Sequence, residues 1–175
     1  GYHYRGITSS RFGDYEAALA DMQKAIDLRP GYMGLYFSRG VTYFLSQQFA
    51  KAVSDFDRYI KKEPKDPSAY LNRGASCLFL GDTLKALNDY NKAIKLDRFD
   101  PEGYVRRGRL YAGKGDYDAA IADMDKAIEL DTTNTFDEGT KVENTSASDL
   151  GNKVLYANMV INQYTISFDS NEGTE

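Results

Sequence analysis

The stretch PEGYVRRGRLYAGKGDYDAAIADMDKAIELDT, residues 101–132, carries the reading that decides the fold. Pro101 suits the first turn of a helix, where its missing N–H costs no hydrogen bond. The side chain of Asp100, just before it, can cap that helix. Tyr104, Gly108 and Tyr111 follow at spacings of four and three, one face of a helix. Gly115-Asp116 then breaks the run as a turn. Beyond it, Ala120, Met124, Ala127 and Ile128 form a second apolar stripe. The stretch therefore predicts two antiparallel helices joined by a short turn.

Working outward, the pattern repeats. Arg-Gly occurs at Arg5-Gly6, Arg39-Gly40, Arg73-Gly74 and Arg107-Gly108, each copy 34 residues after the last. Asp21, Asp55, Asp89 and Asp123 keep the same beat, as do Ile26, Ile60, Ile94 and Ile128. A fixed period this short marks one helical unit stacked on itself, each unit burying its apolar face against the next. Four units follow, at 1–30, 31–64, 65–98 and 99–132. The first lacks about two residues of its opening helix by phase, so the chain reads as a piece of a longer one.

The order aromatic-x-x-x-Gly-x-x-aromatic, Gly-Asp-aromatic, then Ala-x-x-x-aromatic-x-x-Ala resembles the tetratricopeptide repeat (TPR). The resemblance covers residues 1–132, with local departures. Tyr stands for the usual Trp, and Arg for the usual Leu before the glycine. Gln47-Gln48 replaces the turn Gly-Asp, Cys77 replaces a core Tyr, and Arg98 and Thr132 replace the closing Pro. The resemblance implies an all-α, right-handed superhelical stack of helix pairs, an α-solenoid whose first helices line a concave groove. It also implies a non-enzymatic module that binds a peptide or protein segment there.

The recurring residues have scaffold roles on physical grounds. A glycine inside a helix costs about 1 kcal/mol relative to alanine, and its use at one phase four times points to close approach of the partner helix. Arg and Asp lie 16 residues apart, on facing helices of one unit. Arg39 with Asp55, Arg73 with Asp89 and Arg107 with Asp123 are expected to form structural ion pairs, because the guanidinium fork can grip a carboxylate with two bonds. The alternative is an arginine ladder facing an acidic ligand. Cys77 reads as a small core hydrophobe.

Ligand contacts are expected where the beat is silent. Positions around the helix glycines give Phe37, Val41 and Phe44 in the second unit, Leu71, Asn72 and Ala75 in the third, and Arg106 and Arg109 in the fourth. Leu45, Leu78 and Phe79 fall at neighbouring places, and His3 and Ile7 match them in the first unit. The alternative is that such side chains pack on adjacent helices. A TPR subclass grips a chaperone's C-terminal carboxylate with a Lys/Asn/Arg clamp. The matching positions here, His3, Ile7, Ser38, Ser68 and Asn72 or Phe37, Val41, Asn72, Glu102 and Arg106, make no such clamp, which argues against that partner.

Composition bounds the rest. The net charge is −4 over 175 residues, and the tail from Thr133 carries most of the acidity. No basic stripe suits a nucleic acid, and no apolar run of roughly 18 residues suits insertion into a membrane. One histidine, one cysteine and no phosphate-binding glycine loop leave no basis for a catalytic site, a metal site or a cofactor. The single cysteine excludes an intramolecular disulfide and fits a reducing compartment. Residues 133–148 read as a polar linker, and 149–168 as a capping helix with Leu150, Val154, Ala157, Ile161, Tyr164 and Phe168 on one face. Residues 169–175 read as a disordered tail. Two further roles stay open: self-assembly, with the groove filled by the chain's own or a neighbour's tail, and regulation within a larger protein.

Overall fold

The computed structural model describes residues 1–135, with side chains as far as Asp131. Eight helices and no strand occur among the described residues. They are α1 (Tyr2–Arg11), α2 (Tyr15–Leu28), α3 (Gly34–Leu45), α4 (Phe49–Lys62), α5 (Pro67–Phe79), α6 (Thr83–Leu96), α7 (Pro101–Gly113) and α8 (Tyr117–Thr135). They fall into two compact units, α1–α6 within Gly1–Arg98 and α7–α8 after it. Helix α8 runs three residues past the expected end of the fourth repeat. The expected capping helix and tail lie outside the described residues, as does most of the linker.

Helix boundaries follow local chemistry. Asp66 and Asp100 precede Pro67 and Pro101, and their carboxylates accept from Ser68 N and Glu102 N. Asp14, Asp82 and Asp116 cap the second helix of their pairs, accepting from Ala17 N, Lys85 N and Ala119 N. The residue before each of these aspartates is Gly13, Gly81 or Gly115, with φ near +80°, a conformation that costs glycine nothing. In the second pair Gln47 takes that place at φ 59°, and Gln48 supplies no side-chain cap.

Each pair is antiparallel. Along α3 and α4, Phe44 meets Phe49, Gly40 lies against Phe56, and Phe37 meets Tyr59. The glycines set how closely the helices approach. A Cβ on Gly74 would stand 2.8 Å from Cε1 of Tyr90, a ring atom of a fully packed side chain, and one on Gly40 would stand 2.9 Å from Phe56. Within residues 1–98, α3 packs between α1 and α2 of the preceding pair and α4 and α5 beyond. Ala25 and Ile26 of α2 bury Leu35 and Tyr36 of α3, with Met33 packed alongside. Tyr36 and Tyr70 repeat one tether: each hydroxyl donates to the carbonyl of the proline closing the preceding unit, Pro30 or Pro64. Between α7 and α8, Val105, Met124 and Ala127 form the core under Tyr104.

Candidate functional site

The ion-pair positions come first, because they decide which charges are free to meet a ligand. Each beat arginine meets the aspartate 16 residues on. Arg39 donates from Nε and Nη2 to the two oxygens of Asp55 at 2.7 Å each. Arg73 grips Asp89 at 2.8 and 2.6 Å, and Arg107 grips Asp123 at 2.8 and 2.7 Å. Arg5 holds Asp21 in the same way. The carboxylates are buried, and hydrogen bonding to them raises the pKa of every one of these arginines. A third bond reaches backward: Arg39 Nη1 donates to Gln23 Oε1, and Arg73 Nη1 to Asp57 Oδ1 at 2.6 Å. The same guanidinium thus joins the second helices of two successive pairs. Tyrosine rings at 5.5 Å or more flank these guanidiniums, Tyr36 and Tyr43 beside Arg39 and Tyr70 beside Arg73. Each of these arginines is thus held by the aspartate of its own helix pair.

The groove candidates divide. Leu71 and Ala75 are only 5% and 8% exposed, so they sit in the interior and offer almost nothing to a partner. Phe37 is half-buried, its ring 5.7 Å from Phe56 and 5.1 Å from Tyr59. Burial first, and the hydrogen bond to Asp66 second, push the Tyr59 hydroxyl up to about 12, so the phenol stays protonated and donates to the Asp66 carboxylate. Val41 is half-buried. Asn72 turns its amide back to the Ser68 carbonyl. On α7 Arg106 is paired with Glu102 one turn away, and Arg109 is exposed. Cys77 is buried, and that burial raises its thiol pKa away from the reactive thiolate.

One open apolar patch in residues 1–98 lies at the far end of α3 and α5. Phe44, Phe49 and Phe79 form one cluster there. Phe49 and Phe79 stack with centroids 4.6 Å apart and planes 5° from parallel, and Phe44 meets both edge-on. Phe79 is 65% exposed and Leu80 52%, with Leu45 and Leu78 exposed beside them. Phe49 and Leu80 escape the sequence reading because they lie in or next to the turns, outside the helix-face positions. The one signal for Phe49 is its aromatic type just after a turn, a place Tyr15 and Tyr117 share.

A second opening lies at the other end of the same face. Tyr2, His3 and Tyr4 of α1 face Leu28 and Arg29 at the end of α2 and Tyr32 in the following loop, around a cleft of about 390 Å³. His3 Nε2 and Ser38 Oγ, 2.9 Å apart, tie α1 to α3 here. Burial, and after it the charge on the chain's amino group, lower the His3 pKa. Among the described residues there is no group of three or more side chains suited to a metal ion, and no helix is long and apolar enough to cross a membrane.

Comparison with known proteins gives the fold its family. Models of the tetratricopeptide repeat match residues 6–69, 43–101 and 101–134. Among solved structures, residues 41 to the end of MamA from Desulfovibrio magneticus RS-1 superpose with a TM-score of 0.72 at 22% identity, covering 77% of this chain and 76% of that one. A thermophilic TPR protein from Thermus thermophilus gives a TM-score of 0.67 at 19% identity, covering 75% and 73%. A tetratricopeptide repeat protein from Parabacteroides merdae gives 0.67 at 24% identity, covering 75% of this chain and 52% of its own. At these identities the likeness is one of fold, a TPR-like all-α solenoid. A search of curated protein sequences found no match. The chain belongs to the tetratricopeptide repeat family, whose fold implies a protein-interaction or scaffold role.

Proposed function

We propose that residues 1–98 hold a segment of a protein partner along the face made by α1, α3 and α5, with its apolar anchor at the Phe44–Phe49–Phe79 cluster. The observation that carries this reading is the exposure of Phe79, stacked over half-buried Phe49 and beside half-buried Phe44, together with that of Leu45, Leu78 and Leu80. An apolar patch of this kind on a folded surface marks an interaction site, and aromatic anchors dominate binding energy at such sites. The scaffold beneath is fixed by paired charges and close helix contacts, so little order is gained on binding and little affinity is lost to it. Helical repeats of this kind typically hold other proteins, and the imidazole on this face, His3, is engaged with Ser38 in tying α1 to α3.

A photo-crosslinking side chain at Leu80, with a control at exposed Ser54 on α4, tests the reading in the full chain. The expected result is protein adducts from position 80 that are lost when Phe79→Ser is added, and none of the same adducts from position 54. Identical adducts from both positions, or adducts indifferent to Phe79→Ser, would refute it.

A further inference from the structure

The cleft at the start of α1 and α3 has a chemistry different from that of the phenylalanine cluster. Its walls are the rings of Tyr2, Tyr4 and Tyr32 and the side chain of Leu28, and Arg29 and His3 supply polar side-chain nitrogens. Its volume of about 390 Å³ falls at the low end of the range for ligand pockets, roughly 300–1,000 Å³. That size suits one or two amino-acid side chains. Among the described residues no carboxylate lines the cleft, and Arg29 makes no ion pair. Arg5, Arg39 and Arg73 of the same unit, by contrast, each meet an aspartate. The imidazole of His3 already engages Ser38 and lies edge-on to Tyr32, with ring centroids 6.3 Å apart. Arg29 is therefore the side-chain cation left for a ligand, beside aromatic surface that suits an aromatic ring.

We propose that this cleft is a binding subsite for an acidic residue adjoining an aromatic one in a protein partner. The aromatic side chain enters between Tyr4 and Tyr32, and the carboxylate meets Arg29. Guanidinium and carboxylate match in charge and in geometry, and the tyrosine rings offer edge and face contacts to an aromatic guest. This rests on the reading that residues 1–98 hold a protein segment, and it names the chemistry of one part of that segment.

His3 is the only histidine in the chain, so its imidazole resonances report this cleft alone. The test titrates the full chain with acetyl-Asp-Phe-amide, and separately with its neutral partner acetyl-Asn-Phe-amide, and follows those resonances by NMR. The expected result is a saturable shift with the acidic probe at millimolar concentration. The neutral probe, and the acidic probe against Arg29→Gln, should bind about tenfold more weakly, the size expected for losing a charge-assisted hydrogen bond. Tyr32→Ala should weaken both probes. Arg29 and Tyr32 are exposed, so neither substitution threatens folding. A flat titration, or equal binding of the two probes, would overturn the subsite. Because crosslinking from position 80 reads the other end of the face, adducts there with a flat titration here would reject the subsite alone.

Discussion

Arg5–Asp21 and Arg73–Asp89 are the same pair in sequence and not the same pair in the fold. Both use a 16-residue offset and two hydrogen bonds to one carboxylate. The Arg5 side chain is 66% exposed, however, and that of Arg73 only 16%. Arg73 has a preceding pair to lean on, and there Asp57 takes its third bond. The difference teaches that the beat specifies a contact, while the neighbouring pair decides how much the contact is worth. A screened pair at the surface contributes little. A covered one is costly to break, because its partner is left charged and dry.

The largest expected effect follows from that contrast. Asp89→Ala leaves Arg73 without its main partner and should cost about 3 kcal/mol of stability, read as a shift in the urea midpoint. Asp21→Ala should cost clearly less in the same assay, and equal losses would erase the distinction. Gly74→Ala comes next. Its new Cβ would press on the buried ring of Tyr90 at 2.8 Å; overpacking of about 1–3 kcal/mol should outweigh the roughly 1 kcal/mol gained in helix propensity. Gln47→Gly should act in the opposite direction and raise the melting temperature, relieving a left-handed conformation worth about 1 kcal/mol. A smaller effect is expected from Asp57→Ala, about 0.5 kcal/mol, since Asp57 is half exposed.

The acid limb sharpens the comparison last. The hydrogen bond from Arg5 holds the Asp21 carboxyl below its ordinary value. The folded pKa is thus lower than the unfolded one, about 3.9. The stability this pair contributes is complete above that unfolded value and is lost as the pH falls through the folded one. Asp21→Asn should therefore flatten the acid side of the stability profile slightly, as measured by thermal melts between neutral and acid pH.

The scaffold was legible in the sequence because each of its devices needs a particular residue at a particular phase. Proline opens a helix, glycine admits a ring of the partner helix, and arginine sits opposite aspartate. The proposed binding face was legible only in part. Spacing around Gly40 and Gly74 gives the direction a side chain leaves its helix, and says nothing of what covers it there. Leu71 and Ala75, expected to line the groove, are buried, whereas Phe79, four residues beyond Ala75, is open. Phe37 turns onto Phe56 and Tyr59 because its own second helix offers rings at that height. Arg29 and Tyr32 lie in the loop between α2 and α3, where no helix phase applies, and only the fold brings them to a common cleft with His3.

The division between scaffold and binding face is tested most directly by measuring stability and crosslinking together in Phe79→Ser, with the photoreactive side chain at position 80. An exposed residue outside the ion-pair lattice should leave the unfolding free energy within about 1 kcal/mol of the parent, while the protein adducts disappear. Adducts that persist, or a loss of stability as large as that of Asp89→Ala, would contradict the assignment of this cluster to partner binding.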